Sequence, residues 1–255
     1  MTHPCQPMVA LIPARAGSKR VPGKNTRLLN GHPLFMYSVW AAQQSGVFTS
    51  VNVCTDDEMV GWELVDSMIP IIWREPVSDA QPDIAWVRYA MECFGRRPMS
   101  FAILRPTSPF RTAETIRRAY AQFTVPDQTA DSIRAVEPAK QSPYKMWTQS
   151  GPAMPIKPLL EGKHPDGTPY HSSPTQSLPT VYVQNSSLEM SWTSNVETHG
   201  TISGRKVAPF FTREFEGFSI DTEADWREAE YLARTRPDLL PSVDLARVSA
   251  DSPAV

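Results

Sequence analysis

Short apolar runs alternate with longer segments of helical periodicity along the first half of the chain. The apolar runs contain many β-branched residues and predict strands at 8–12, 50–55, 69–73, 99–104 and 132–136. The segments between them predict helices at 33–45, 57–67, 82–94 and 112–123. Strand and helix in alternation are typical of βαβ units, so the pattern predicts an α/β fold: a mostly parallel sheet with helices on both faces.

The pattern changes in the second half. Residues 139–180 are rich in Pro, Ser, Gly and His and have little helical periodicity, so they predict an inserted irregular arm with a few short strands, one of them at 144–149. The arm is either a solvated linker or a subunit-swapped element that becomes ordered on dimerisation. Further strands are predicted at 180–183 and 188–192, and a closing helix at 221–235. The predicted domains are therefore a core of 1–138 and 181–240, the arm, and a flexible tail at 241–255.

Composition narrows the possible classes of protein. The chain has 255 residues, 41% hydrophobic and 20% charged, with a formal net charge of −2, which argues against a general nucleic-acid binder. Neither an apolar stretch near 18 residues nor a signal peptide is visible, so we predict a cytoplasmic protein. Cys5, Cys54 and Cys93 lack metal-ligand spacing, and we expect buried, reduced thiols. We expect Trp40, Trp62 and Trp86 to lie in the core.

A cluster of cations follows the first predicted strand, in PARAGSKRVPGKN at 13–25. No acidic residue precedes Asp56, so the sequence offers these cations no local compensation. They are Arg15, Lys19, Arg20 and Lys24, with Arg27 close behind. Like charges this close repel unless an anion lies among them, and the glycines let the backbone approach a ligand. The loop therefore indicates a triphosphate site, with a solvated basic loop as the alternative; its spacing fits neither the P-loop nor the G-x-G-x-x-G motif.

Two later stretches add candidate chemistry. In LRPTSPFR at 104–111, two prolines stiffen a loop that offers hydroxyl groups, which suits either a pocket wall or an ordinary strand-to-helix turn. In FSIDTEADW at 218–226, Asp221 opens a helix. It is either a Mg²⁺ ligand or part of a helix cap together with Thr222 and Asp225.

These three stretches, in this order, resemble the acylneuraminate cytidylyltransferase family, and the resemblance extends over about residues 9–230. It implies a three-layer, Rossmann-like nucleotidyltransferase fold with an inserted dimerisation arm, and a homodimer. It also implies the reaction: the anomeric hydroxyl of an acidic sugar attacks the α-phosphorus of CTP, pyrophosphate leaves and a CMP-sugar forms, with Mg²⁺ or Mn²⁺ as the cofactor.

The resemblance also implies roles for individual residues. Those that match phosphate-binding or other nucleotide contacts are Arg15, Ser18, Lys19, Lys24, Asn25, Arg74 (near the cytosine) and Ser108. On the acceptor side it implies Arg105, Arg111 and Asn185, and at the metal Asp221. Arg15, Lys24 and Asp221 are the expected catalytic residues.

Three positions depart from the family pattern: Arg105 replaces a Gln, Val183 an Arg, and Ser219 a first Asp. Loss of the Arg removes a partner for an acceptor carboxylate, which the charge of Arg105 could restore. Ser219 removes a charge from the metal site, with Asp56 or Asp57 as candidates to share that role. Several alternatives therefore stay open. The acceptor could be another nonulosonic acid of legionaminic or pseudaminic type or a non-sugar acid, and the nucleotide could carry another base. The protein could also be a catalytically weak nucleotide-binding paralogue.

Overall fold

The computed structural model describes residues 7–76, 81–125 and 129–243. The predicted tail at 241–255 therefore lies almost entirely outside the described residues. The described strands are β1 (Met8–Pro13), β2 (Leu28–Leu29), β3 (His32–Pro33), β4 (Ser50–Thr55), β5 (Ile71–Trp73), β6 (Ser100–Ile103), β7 (Ser132–Pro138), β8 (Trp147–Thr148), β9 (Lys157–Pro158), β10 (Tyr182–Trp192) and β11 (Val207–Phe211). The described α-helices are α1 (Leu34–Ser45), α2 (Glu58–Glu63), α3 (Asp83–Cys93), α4 (Ala113–Phe123) and α5 (Glu223–Thr235).

One large sheet has the strand order β11-β7-β10-β6-β1-β4-β5. β1 pairs in parallel with β4 and β6, and β4 pairs in parallel with β5. β10 runs antiparallel to β6. The prediction of a mostly parallel sheet is confirmed, and the carboxyl ends of β1, β4, β5 and β6 meet at one edge.

The alternation of side chains along β1 explains the helices on both faces. Met8, Ala10 and Ile12 join a fully buried cluster with residues of α1 and α4. Val9 and Leu11 point into a second cluster with residues of α3. Because all five side chains are buried, β1 needs a hydrophobic layer on each side, and the predicted three-layer architecture is confirmed.

The structure corrects several element predictions. The two strands predicted at 180–183 and 188–192 are the single strand β10. The strand predicted at 69–73 begins only at Ile71, after Pro70, which has no N–H to donate to a ladder. The sequence interpretation missed β11 and the β2–β3 hairpin. Asn30-Gly31 turns this hairpin with φ values of 47° and 86°, as a two-residue type I′ turn requires.

Burial confirms some of the core predictions and overturns others. Trp40 and Trp86 are buried as predicted, but Trp62 on α2 is 67% exposed, because this short helix packs mainly through Val60. Cys54 is buried, and burial raises the pKa of its thiol to about 12. The prediction of buried thiols is wrong for Cys93, which is exposed, and Cys5 lies outside the described residues.

Residues 136–184 form a separate compact unit. Within it, β8 and β9 pair as a small antiparallel ribbon, and the ring of Tyr170 lies 4.9 Å from those of Tyr144 and His164. The strand predicted at 144–149 is reduced to β8, preceded by a 3₁₀ turn at Pro143–Lys145. Dimerisation through this unit stays a prediction. In the part of the chain that the structure describes, no helix is both long and apolar enough to cross a membrane.

Candidate functional site

A cavity of about 240 Å³ opens at the edge where β1, β5 and β6 end. Its wall combines segments that follow these strands with the first turn of α3 and the segment before α5. The lining residues are Pro13, Arg15, Ser18, Arg20, Lys24, Asn25, Arg74, Gln81, Asp83, Trp86, Arg105, Pro106, Thr107 and Asp221. This is where ligands bind in open α/β sheets, since the strand ends leave a crevice there.

The loop after β1 owes its shape to buried polar contacts. Gly17 has φ +72°, a left-handed conformation that favours glycine. The side chain of Asn25, which is buried, donates from Nδ2 to the carbonyl of Arg15 over 2.9 Å. Asp56 Oδ1 accepts the N–H of Ala16 at 2.8 Å. Asn25 and Asp56 therefore hold the loop against the ends of β1 and β4.

The cations predicted to bind phosphate do come together. Arg15, Ser18 and Lys24 line both the cavity and an adjoining one of about 390 Å³, and Lys19 lines the second. The ammonium group of Lys24 donates to the carbonyl of Ile220 at 2.7 Å. Burial lowers the pKa of Lys24, and the positive charges of Arg20 and Arg15 lower it further, against the opposing effect of Asp221. An anion in this place would relieve that repulsion.

Two cations of the cluster have acidic partners near the other end of the chain. Arg20 Nη2 lies 3.2 Å from Asp221 Oδ1. Arg27 Nη1 donates to both carboxylate oxygens of Glu223, at 2.8 and 2.9 Å, and its guanidinium lies 4.2 Å from the centre of the Trp226 ring. Acidic residues distant in sequence therefore compensate part of the positive charge of the loop. Arg27 stabilises the packing of α5 and does not line the cavity.

The side chain of Asp221 does not cap α5, although its backbone N–H donates to Asp225 Oδ2 at 2.9 Å. Thr222 is the N-cap of α5 and forms a reciprocal capping box with Asp225. The carboxylate of Asp221 lies at the cavity wall, with Oδ2 accepting from the hydroxyl of Ser219 at 3.0 Å. Asp57 caps α2 by accepting from Met59 N, and neither it nor Asp56 lines either cavity. Among the described residues, no group of three or more potential metal ligands occurs.

Another part of the cavity wall is formed by aromatic and charged side chains. The guanidinium of Arg74 lies 5.5 Å from the centre of the Trp86 ring, and its buried Nε has no hydrogen-bond partner among the described residues. Burial lowers the pKa of Arg74. Asp83, in the first turn of α3, accepts the indole N–H of Trp86 at Oδ1 over 2.8 Å.

Arg105 bridges two carboxylates beside this part of the wall. Its Nη2 lies 2.5 Å from Asp83 Oδ2 and 3.0 Å from Glu189 Oε1. Burial by itself would lower the pKa of Arg105, but the two carboxylates outweigh it and raise the pKa. Glu189 is 7% exposed, and its Oε2 lies 2.8 Å from Nη2 of Arg134 on β7. The predicted acceptor cation is thus present at the cavity, with its charge already balanced.

Three residues predicted for the site lie elsewhere. Ser108 is buried and lines neither cavity. Arg111 is 1% exposed and donates to the carbonyls of Arg105 and Ser187 and to the hydroxyl of Ser38, so its side chain lies in the core and lines neither cavity. Asn185 also lies outside both cavities; its Nδ2 donates to Thr212 Oγ1 at 2.9 Å. Each was carried over from the family resemblance, which does not record burial.

The sequence interpretation missed Gln81, Asp83 and Glu189 and assigned Trp86 to the core alone. A signal existed for Asp83, because an acid in the first turn of a helix that follows a strand lies at the carboxyl edge of a parallel sheet. Glu189 within an apolar strand was a second signal, since a buried acid requires a cationic partner.

The comparisons with known proteins agree with this geometry. Residues 9–65 match the family model described as cytidylyltransferase. The chain is 30% identical over 241 residues to the CMP-N,N'-diacetyllegionaminic acid synthase of Legionella pneumophila, covering 91% of this chain and 99% of that protein. It is 32% identical over 154 residues to the N-acylneuraminate cytidylyltransferase of Escherichia coli, covering 60% of this chain and 34% of that protein.

The fold is also similar to a solved structure, CMP:2-keto-3-deoxy-manno-octonic acid synthetase complexed with CTP. The TM-score is 0.65 at 14% identity, over 90% of this chain and 99% of that one. A similarity at this identity shows the fold alone, whereas the near full-length match to the Legionella protein shows the family. The chain belongs to the acylneuraminate cytidylyltransferase family of nucleotidyltransferases.

Proposed function

We propose that this protein transfers CMP from CTP to the anomeric hydroxyl of an acidic sugar of sialic, legionaminic or pseudaminic type, with release of pyrophosphate. One observation carries the proposal: the cations of the loop after β1 line two adjoining cavities at the carboxyl edge of the sheet. The names of the relatives, which are synthases of CMP-linked acidic sugars, support the choice of base and acceptor class.

The basic part of the cavity wall suits the triphosphate. Arg15 and Lys24 lie where they can neutralise the α-phosphate and the departing pyrophosphate, and Ser18 and Lys19 extend the same wall. Positive groups held in advance stabilise charge that increases in the transition state, without reorganising at the moment of reaction. The lowered pKa of Lys24 fits this role, because triphosphate would favour the charged ammonium.

The proposed cofactor is Mg²⁺ or Mn²⁺, held by Asp221. One carboxylate fits the chemistry of Mg²⁺, which is often held by one or two carboxylates together with substrate phosphates and waters. When bound, the ion would supply further neutralisation of the phosphates. Arg20 would exchange its contact with Asp221 for a phosphate oxygen, since the pair is exposed and weakly held.

The aromatic part of the wall suits the nucleoside and the acceptor. Arg74 and Trp86 offer a cation and a ring surface near the proposed place of cytosine, and Arg105 offers N–H groups to an acid acceptor. A homodimer that uses the arm at 139–180, and a cytoplasmic location, remain predictions of the sequence.

A pyrophosphate-release screen tests the proposal. CTP, UTP, ATP and GTP are each paired with N-acetylneuraminic, N,N'-diacetyllegionaminic and pseudaminic acids in the presence of Mg²⁺. We expect turnover with CTP and at least one of these acids. We expect Lys24→Met to lower kcat at least 100-fold, whereas Lys206→Met, an exposed lysine outside both cavities, leaves it unchanged.

A second candidate function is nucleotide binding with little or no catalysis, favoured by Ser219 at a place where a second acid is expected. Its hydroxyl donates to Asp221 and adds no negative charge. This alternative predicts CTP binding by calorimetry without pyrophosphate release from any pair in the screen. Absence of both binding and turnover would contradict both functions.

A further inference from the structure

Four charged side chains form a continuous network that begins at the cavity and crosses the sheet. Asp83 pairs with Arg105, Arg105 with Glu189, and Glu189 with Arg134. Arg134 Nη2 then donates to the hydroxyl of Ser203 at 2.6 Å. Two cations and two anions balance, so the network adds no net charge to the cavity.

Glu189 occupies a fixed place in this network. It is paired across the sheet with Ile103, the last residue of β6, two positions before Arg105. Both of its carboxylate oxygens accept from arginines, one from each side. A carboxylate buried in a strand that is hydrogen-bonded to β6 has little freedom to move, so it defines where the guanidinium of Arg105 can lie.

The two anchoring bonds leave much of the Arg105 guanidinium available. Both use the same nitrogen, Nη2, and the hydrogen bonds of the side chain to described residues all come from it, so Nε and Nη1 remain available. These two nitrogens carry three of the five N–H groups of the side chain. Because Arg105 lines the cavity and its side chain is 26% exposed, these N–H groups can meet a ligand.

We propose that Glu189 is a positioning residue: with Asp83 it holds Arg105 so that its remaining N–H groups receive the carboxylate of the acceptor. The inference rests on the proposed function and deepens it, since it names what determines affinity for the acid. An arginine that is restrained in advance loses less conformational freedom when it binds its ligand. Glu189 itself contacts no substrate and acts through Arg105.

Steady-state kinetics with CTP and the best acid of the screen test this. Glu189→Gln removes the charge but retains the shape. We expect it to raise the acceptor KM about tenfold, while the CTP KM stays within twofold. Glu216→Gln is the matched control, because this carboxylate also accepts from an arginine, Arg118, but lines neither cavity. We expect it to leave the acceptor KM within twofold.

A double-mutant cycle separates positioning from general damage. In an Arg105→Gln background, Glu189→Gln should raise the acceptor KM no further, since the group it positions is gone. An equal rise in both backgrounds, or a rise in the CTP KM of the same size, would overturn the inference. Thermal unfolding of each variant checks that the protein is folded at the assay temperature.

The result distinguishes this inference from the proposed function. A wild-type enzyme that turns over CTP and an acid, with an acceptor KM insensitive to Glu189→Gln, refutes the positioning role alone. A wild-type protein without turnover in the screen refutes the proposed function, and the inference falls with it.

Discussion

Arg111→Lys tests the placement of a buried cation that the sequence motif assigned to the acceptor. In the structure its guanidinium reaches three oxygen atoms: the carbonyls of Arg105 and Ser187 and the hydroxyl of Ser38. No carboxylate pairs with it among the described residues, and burial lowers its pKa to about 9. A lysine has one nitrogen in place of this planar fork, so it can retain about one of the three contacts.

The expected loss follows mainly from the carbonyl of Ser187, because the carbonyl of Arg105 also accepts from the N–H of Ser108 and the hydroxyl of Ser38. A buried polar group without its partner costs about 1–3 kcal/mol, so Arg111→Lys should reduce the free energy of unfolding by about 1–3 kcal/mol. With a urea m-value of about 3 kcal/mol/M, the unfolding midpoint should fall by about 0.3–1 M. Arg117→Lys on α4 is the control. Its side chain is exposed and paired with Glu114, so we expect a change below about 1 kcal/mol.

Urea unfolding, followed by tryptophan fluorescence, gives the unfolding midpoint of both variants. The acceptor KM is then measured at urea concentrations below the unfolding transition. The core role of Arg111 is refuted if Arg111→Lys unfolds within about 0.3 M of the wild type. A large rise in the acceptor KM at unchanged stability would restore the acceptor-binding role that the sequence predicts.

Three further predictions concern the metal, a helix cap and the thiols. Asp221→Asn should raise the Mg²⁺ concentration for half-maximal turnover at least tenfold, and an unchanged titration would limit Asp221 to local structure. Thr222→Ala should destabilise the protein by about 1 kcal/mol in urea, and an unchanged midpoint would argue against the capping box. Iodoacetamide at pH 8 should alkylate exposed Cys93 and spare buried Cys54, as peptide mass spectrometry would report; equal labelling would contradict the raised pKa of Cys54.

The sequence predicted the parts of the fold that depend on local pattern. The strands and helices of the first half, the parallel sheet and the cation-lined loop all follow from residues near one another in the chain. β10 was harder, because its polar stretch at 184–187 breaks the apolar run, yet the strand continues through it. The Asn30-Gly31 pair is typical of a hairpin turn, but the sequence interpretation did not predict one there.

The candidate site was predictable mainly where a motif lies in a loop after a strand. Arg15 and Lys24 were found in the loop after β1 and Arg105 after β6, whereas Asp221 was found in the motif before α5. Arg111 belongs to the same motif as Arg105, but its side chain is buried in the core. Nothing in its local sequence distinguishes it from an arginine that faces a ligand. Glu189 reaches the network through pairing between distant strands, which no local pattern contains.

The contacts of the basic loop with the segment before α5 have a consequence for synthesis. Lys24 and Ile220 are 196 positions apart, as are Arg27 and Glu223. A ribosome that has translated the first half has made nearly all of the parallel strands, but not the wall against which the loop rests. We therefore expect a nascent chain to become able to bind nucleotide only late, after α5 has left the ribosome and packed against the loop.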